Sequence, residues 1–180
     1  NRFFIDKREN TDYDEDAFEA IIAADRARLR KMVSYCYHKD CYREFILQYF
    51  GDSSIEGQDC GNCGNCNKHF EMIDISMDVK KILSCIKRSG ERFGTMMIIH
   101  VLQGRNLKNI RQFKLDKLST YGIMKEQNEE RLKEIIQFML SRQYIQQEDG
   151  KFPILKLGVK ARDALFGEEP IIYRKEIVSE

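Results

Sequence analysis

Apolar residues recur at helical spacing in the first part of the chain. Between Asp16 and about Tyr35, apolar side chains lie three and four positions apart with charge between them, namely Phe18, Ile21, Ile22, Leu29, Met32 and Val33. This spacing predicts an amphipathic helix. A second helix is predicted from Cys41 to Phe50, where Gly51-Asp52 ends it.

The middle of the chain predicts four further helical segments. The first is centred on residues 79–86 and ends at Ser89-Gly90, and the second, which Thr95 can cap, is apolar nearly all round and belongs in a core. A third, broken segment runs from Leu107 to Leu118. The fourth follows Asn128, a good capping residue, and carries one apolar stripe made of Leu132, Ile135, Ile136, Met139 and Leu140.

The pattern changes to strand-like spacing after the fourth segment. Residues 144–147 and 152–157 flank Glu148-Asp149-Gly150-Lys151, which predicts a β-hairpin around Asp-Gly. A short helix is expected from about Val159 to Phe166, and the last ten residues are expected to form a linker. Helices followed by such a hairpin are typical of a winged helix, in which the hairpin adds a second DNA contact.

Charge divides the chain into an acidic part and a basic part. Residues 1–76 contain 10 Lys and Arg against 15 Asp and Glu, whereas residues 77–180 contain 20 against 14. The basic excess is concentrated in residues 78–125, with 11 basic and 3 acidic residues. Such a block indicates a surface for a polyanion, usually nucleic acid or a phospholipid surface, although a solvated basic face gives the same pattern.

The chain has neither of the sequence signals that would direct it to a membrane. No run approaches the roughly 20 apolar residues that cross a bilayer. The N-terminus also lacks the pattern of a secretory signal. We therefore expect a soluble protein inside the cell, in the cytoplasm, nucleoid or nucleus, with no membrane partner.

Three cysteines lie in one seven-residue run, Cys60-Gly-Asn-Cys63-Gly-Asn-Cys66. The surrounding residues 51–68 have almost nothing apolar to bury, so this segment needs another source of order, which a metal supplies. Zinc takes four tetrahedral ligands, and closely spaced thiolates on a tight turn can converge on one ion. We expect Cys41, which is separated from Cys60 by 18 residues, to be the fourth ligand. The competing candidates are Cys36, His38 and His69.

Other chemistries fit the cysteine run less well. A redox pair uses two cysteines rather than three evenly spaced ones in a loop without helix. An iron–sulfur cluster also uses a Cys-x-x-Cys-x-x-Cys run with a remote partner and stays an alternative. A catalytic zinc needs an open coordination position and a general base, neither of which is evident. Cys36 and Cys85 are expected to be buried small apolar residues.

These motifs resemble a known family. The stretch Cys41-Tyr-Arg-Glu-Phe-Ile-Leu-Gln-Tyr-Phe-Gly51-Asp and the cysteine run resemble the zinc-binding subdomain of RecQ helicases. Downstream, Arg92-Phe-Gly94, Val101-Leu-Gln-Gly104-Arg-Asn106 and Leu118-Ser-Thr-Tyr-Gly122 follow the pattern of the family's winged helix. Two basic residues often follow the first cysteine of the family. The same positions here are Tyr42 and Arg43, a mild departure that does not touch the ligands. Residues 1–35 look like the helical hairpin that leads into the site.

The resemblance implies a mainly α fold with a helical zinc-binding subdomain and a winged helix with a short β-hairpin wing. We place the subdomain at residues 1–72, the winged-helix domain at 73–168 and a linker at 169–180. The family's full-length enzymes use ATP and Mg²⁺ to translocate 3′ to 5′ along DNA and unwind it. This sequence has no Gly-x-x-x-x-Gly-Lys-Ser/Thr motif. ATP and Mg²⁺ are therefore expected only in motor domains in cis, and a start at Asn1 suggests a fragment.

The leading expectation for function is a non-catalytic region that binds duplex or forked DNA and one structural Zn²⁺. A free-standing zinc and winged-helix transcription regulator shares every feature of the residues, and a protein-interaction module or a redox enzyme are further alternatives. The expected DNA contacts are Arg105, Asn106, Lys108, Arg111, Lys125, Lys151 and Phe152.

Two of the expected DNA contacts belong to the predicted wing. Phe152 lies close to the turn, where the wing resembles the hairpin that some RecQ relatives drive between two strands, and Lys151 could hold a phosphate. Packing of Phe152 in the core is the favoured role, since Pro153 can direct its ring inward.

Overall fold

The computed structural model describes residues 15–148 and 152–177 and contains two compact units, residues 1–36 and 37–180. The first unit contributes one long helix, α1 (Glu15–Cys36), which confirms the helix predicted from Asp16. The partner helix of the hairpin expected within residues 1–35 would fall largely outside the described residues. Within the described ranges, no helix is long and apolar enough to cross a membrane.

The second unit begins with a short helix, α2 (Tyr42–Tyr49), which Cys41 caps. The Sγ atom of Cys41 accepts the N–H of Glu44 at 3.5 Å, so a cysteine takes the capping role usually filled by Ser or Asp. Gly51 follows the helix with φ at 81°, a left-handed value that suits glycine. Residues 51–69 then form turns and bends without helix or strand.

Two strands far apart in sequence form a small antiparallel sheet. Strand β1 (Phe70–Asp74) pairs with strand β4 (Ile172–Glu176), with Met72 opposite Arg174. The linker expected at 169–180 is therefore wrong for residues 172–176. The alternation of Ile171 and Tyr173, both buried, drives this pairing because it gives the strand one face that enters the core.

The main core of the second unit is built by three helices, α3 (Ser76–Arg88), α4 (Thr95–Leu102) and α6 (Glu129–Ser141). Their buried residues are those of the predicted apolar stripes, including Val79, Ile82, Leu83, Ile86, Ile98, Ile99, Leu102, Leu132, Ile135, Ile136 and Met139. Asn128 caps α6 as predicted, because its Oδ1 accepts the N–H of Arg131 at 2.7 Å. These helices confirm the predicted segments.

The expected cap of α4 is one residue off. Gly94 is the N-cap, and Thr95 is the first helical residue. A Cβ atom at position 94 would lie 2.7 Å from the carbonyl oxygen of Pro153, so a side chain would collide with the backbone that leads into the second wing strand. Contact with the wing therefore excludes the Ser, Thr, Asp and Asn caps that the sequence alone favours.

The broken helical segment is confirmed as α5 (Lys108–Gln112) followed by a 3₁₀ turn, Leu115–Lys117. Lys114 joins the two pieces, and its positive φ of 56° interrupts the helix at this position. Gly104 lies before this segment at φ 68°, and a Cβ atom there would lie 3.0 Å from the Cα atom of Gly122. The two motif glycines thus allow two backbones to approach closely.

The wing consists of strands β2 (Ile145–Glu148) and β3 (Ile154–Leu157), and residues 149–151, where the turn is predicted, lie outside the described residues. Strand β3 is also held on its other edge, where the N–H of Leu155 donates to the carbonyl of Phe93 at 2.9 Å. Helix α7 (Ala161–Phe166) follows. The element order is that of a winged helix, so the mainly α fold with a hairpin wing is confirmed.

Candidate metal centre and nucleic-acid surface

Four cysteine sulfur atoms converge at the start of the second unit. The Sγ atoms of Cys41, Cys60, Cys63 and Cys66 all lie within 4.8 Å of one another. The Sγ of Cys66 lies 3.4 Å from that of Cys63 and 3.9 Å from that of Cys60. A tetrahedral zinc with Zn–S bonds of about 2.3 Å requires sulfurs about 3.8 Å apart, so this spacing fits one ion.

Backbone N–H groups of both segments point at the cluster. The N–H groups of Tyr42 and Cys66 each lie 3.4 Å from the Sγ of Cys63 and donate to it. Gly61 takes a positive φ of 66° directly after Cys60, which the tight turn of the knuckle needs. The turn and helix α2 therefore present their donors and thiols to one point.

A buried amide fastens the knuckle to the segment before Cys41. Asn65 is only 3% exposed, and its Nδ2 donates to the carbonyls of His38 at 2.8 Å and Asp40 at 2.9 Å. The sequence pattern did not single out Asn65, because an asparagine between two glycine-rich turns is indistinguishable from an ordinary loop residue. It adds neutral hydrogen bonds that hold the two cysteine segments together.

The thiols of the cluster do not ionise alike. Burial opposes ionisation of Cys63, but the N–H groups of Cys66 and Tyr42 lower the pKa of its thiol to about 6. Burial and the neighbouring Cys63 sulfur raise the pKa of Cys66 to about 12. Four adjacent thiolates need a cation to compensate their repulsion, and a divalent ion supplies that charge.

The donor set therefore fits one structural zinc ion held by Cys41, Cys60, Cys63 and Cys66. Four thiolates complete the tetrahedron and leave no position for water, so the chemistry that the ion supplies is structural rather than catalytic.

The competing ligands lie outside this group of four. Among the described residues, neither His38 nor His69 contributes a ring nitrogen to it. His38 instead packs its ring 4.8 Å from that of Phe45, and burial lowers its pKa. Cys85 lies in the core as expected, where burial raises its pKa to about 11, whereas Cys36 is exposed rather than buried.

A basic, exposed surface surrounds α5, and we call residues 105–117 the α5 surface. It contains five basic residues and one acidic residue, and its members Arg105, Asn106, Lys108 and Arg111 are exposed. Arg105 is engaged, since its Nη2 lies 3.3 Å from the Oε2 of Glu129. Within the described ranges, Lys108 and Arg111 form no ion pair.

The remaining candidate DNA contacts are less closely grouped. Lys125 lies outside the α5 surface, and its Nζ is 3.9 Å from the Oε1 of Glu126. Phe152 is 77% exposed, so the favoured expectation that it packs in the core is wrong. Leu155 in β3 is the nearby residue that enters the core instead. Lys151 lies outside the described residues.

Two family models match consecutive parts of the chain. A model described as "RecQ zinc-binding" matches residues 1–67, and one described as "RQC domain" matches residues 69–180. The junction between them falls just before β1. The zinc-binding match contains all four clustered cysteines, and the RQC match contains the whole winged helix together with β4.

Several curated relatives are longer proteins. The chain is 38% identical over 175 residues to the ATP-dependent DNA helicase RecQ of Bacillus subtilis, an alignment that covers 97% of this chain and 28% of the relative. It is 31% identical over 145 residues to the Haemophilus influenzae protein of the same name, an alignment that covers 80% of this chain and 23% of the relative. The ATP-dependent helicase SGS1 of Saccharomyces cerevisiae is 27% identical over 156 residues, and the alignment covers 80% of this chain and 11% of that relative. The chain thus spans about a quarter of the two bacterial relatives.

Proposed function

Because this chain belongs to the RecQ helicase family and matches its zinc-binding and RQC regions, we propose that it is the DNA-binding region of an ATP-dependent 3′-to-5′ DNA helicase. In this proposal, ATP and Mg²⁺ bind motor domains in cis, and the chain itself does no chemistry. The helicase names of its relatives support the assignment. The substrate is duplex or forked DNA.

The observation that carries the proposal is the α5 surface. Exposed basic side chains at 105, 108, 111, 114 and 117 lie on one short stretch, which packs on the winged-helix core through Ile110, Leu115 and the ring of Phe113. Lys and Arg side chains of this kind bind phosphates and supply most of the sequence-independent affinity for DNA. Arg105, Asn106, Lys108 and Arg111 are the proposed contacts, and Lys125 is a further one.

Helix α6 is poorly suited to contact DNA bases, although its place in a winged helix would suggest that role. Its first turn exposes Glu130, its second turn exposes Glu134, and Glu129 holds Lys133 and Arg105 in ion pairs. Carboxylates repel phosphates, so this end of α6 is a poor element for insertion into a groove. We therefore place the phosphate backbone on the α5 surface rather than along α6.

The wing provides the second proposed contact. Phe152 exposes most of its ring beside the turn, and an exposed ring can stack on a terminal base pair with roughly 1–3 kcal/mol. Lys151, next to it in sequence, is the proposed phosphate contact of the wing. This arrangement would let the wing separate strands at a fork.

A paired substitution tests the phosphate surface. Arg105→Ala with Lys108→Ala is compared with Lys160→Ala with Lys175→Ala, which removes the same charge from exposed positions elsewhere. The proposal expects the first pair alone to weaken duplex binding and to flatten the salt dependence by about one unit of slope per lost contact. Equal effects of both pairs would mean that bulk charge, not this surface, binds DNA.

A further inference from the structure

Strand β4 carries alternating charged residues on the face that meets the cysteine segments. Arg174 and Glu176 lie two positions apart and therefore share one face of the sheet. Lys175 points to the opposite face and is exposed, and within the described ranges it forms no ion pair. No sequence pattern connects this strand with the cysteines of the metal centre, which lie more than a hundred residues earlier.

Arg174 reaches both segments that carry cysteines. Its Nε lies 3.5 Å from Oδ1 of Asp40, and its Nη2 lies 3.6 Å from Oδ2 of Asp59. Asp40 directly precedes Cys41, and Asp59 directly precedes Cys60. One guanidinium therefore bridges the residues that introduce the first and second cysteines of the cluster.

Glu176 repeats this arrangement with opposite charge. Its Oε1 lies 2.7 Å from Nζ of Lys68, and its Oε2 lies 3.8 Å from Nζ of Lys39. Lys39 belongs to the segment before Cys41, and Lys68 follows the knuckle. The hydrogen bond from Lys68 lowers the pKa of the Glu176 carboxyl, so it stays ionised at neutral pH.

Two more contacts connect the same regions. Arg142, the C-cap of α6, donates from its Nη2 to Oδ2 of Asp40, so a second winged-helix cation holds this carboxylate. The N–H of Ile177 donates to the carbonyl of His69 at 3.2 Å. Each ion pair is partly exposed and weak by itself, but several that share partners form a network.

We propose that Arg174 and Glu176 are positioning residues of the metal centre, which hold its two cysteine segments together only when β4 is paired with β1. The inference rests on the proposed binding of zinc by the four cysteines. A zinc ion with four thiolates carries a net charge of −2, and Asp40 and Asp59 add two negative charges beside it. Arg174 and Arg142 supply the nearby positive charge, so their removal leaves the carboxylates of Asp40 and Asp59 to repel each other and the negatively charged cluster.

The test compares the rate at which a chromogenic chelator removes zinc from the purified chain. The variants are Arg174→Gln, Glu176→Gln and the double variant, with Lys175→Gln as the matched control on the same strand. The double variant is expected to release zinc at least about fivefold faster, the lower end of ordinary coupling between sites. Lys175→Gln should release it at the wild-type rate.

Two further measurements separate positioning from general loss of structure. Added salt screens exposed ion pairs, so it should speed zinc release from the wild type and have less effect on the double variant. Arg174→Lys keeps the charge but loses the planar fork that spans two carboxylates, and should give an intermediate rate. Helical circular dichroism of the zinc-loaded variants should stay at the wild-type level.

The possible outcomes distinguish this inference from the assignment of zinc itself. A wild-type chain that purifies with no stoichiometric zinc would overturn the metal assignment. A wild-type chain with one zinc, and a double variant that releases it at the wild-type rate, would overturn only the role of β4. If the double variant does not fold, the two single variants decide by the same comparison with Lys175→Gln.

Discussion

Arg105 and Glu129 form an ion pair across the winged helix, with Nη2 of the arginine 3.3 Å from Oε2 of the glutamate. The same carboxylate accepts a hydrogen bond from Lys133 at 2.6 Å, which lowers the pKa of Glu129. Glu129 thus pairs with one cation of the α5 surface, and under the proposed function it would compete with DNA phosphate for that cation.

Removing that carboxylate charge should strengthen DNA binding. Glu129→Gln is expected to tighten duplex binding by about twofold to fivefold, the range of an exposed ion pair. Glu130→Gln is the matched control, because it removes the same charge from the same helical turn and Glu130 forms no ion pair within the described ranges. Equal tightening in both variants, measured by fluorescence anisotropy, would show that only net charge matters.

The metal centre should be the source of order for residues 51–68. Cys63→Ser is expected to lose the single zinc and to make this loop sensitive to protease, because the loop has almost no apolar core of its own. The winged-helix core does not include the residues of this loop, so it should survive as a protease-resistant fragment. Cys36→Ser, which changes a cysteine outside the cluster, should keep one zinc by metal analysis. Stoichiometric zinc in Cys63→Ser would refute the ligand assignment.

Glu91 holds the wing through its side chain. Its Oε2 accepts the N–H of Leu157 in β3 at 3.1 Å, and the hydrogen bond from Lys87 lowers the pKa of this carboxyl. Glu91→Ala should lower the free energy of unfolding by about 1 kcal/mol and speed hydrogen exchange at Leu157. The folded pKa lies below its unfolded value near 4.5, so the contribution is present above that pH and is lost as pH falls. Unchanged exchange at Leu157 would contradict this role.

Substitution of the exposed Phe152 distinguishes two roles of its ring, which are packing in the fold and strand separation. Phe152→Ala should change stability by less than about 0.5 kcal/mol, as at other exposed positions. In the complete helicase, it should impair unwinding while DNA-stimulated ATP hydrolysis stays normal, because the ring acts on the strands and not on the motor. A large fall in melting temperature, or unwinding at the original rate, would reject strand separation by Phe152.

Local patterns were sufficient for the parts of the fold that local chemistry determines. The stripe of α6 and the cap at Asn128 follow from helical periodicity and side-chain hydrogen bonding, and the cysteine spacing indicated the cluster that the structure brings together. Strand β4 was missed because its partner β1 lies about a hundred residues away, and a five-residue strand after Pro170 resembles a linker. The Gly94 cap was missed because the wing, not the helix, excludes a side chain there.

The salt dependence of duplex binding by the zinc-loaded chain tests the account most directly. A labelled blunt duplex is titrated with the chain at several salt concentrations between about 50 and 200 mM. The five basic residues of the α5 surface predict that the logarithm of the binding constant falls with a slope of about −4.5 against the logarithm of salt. No binding at the lowest salt, or an affinity that does not change with salt, would contradict a DNA-binding function for this region.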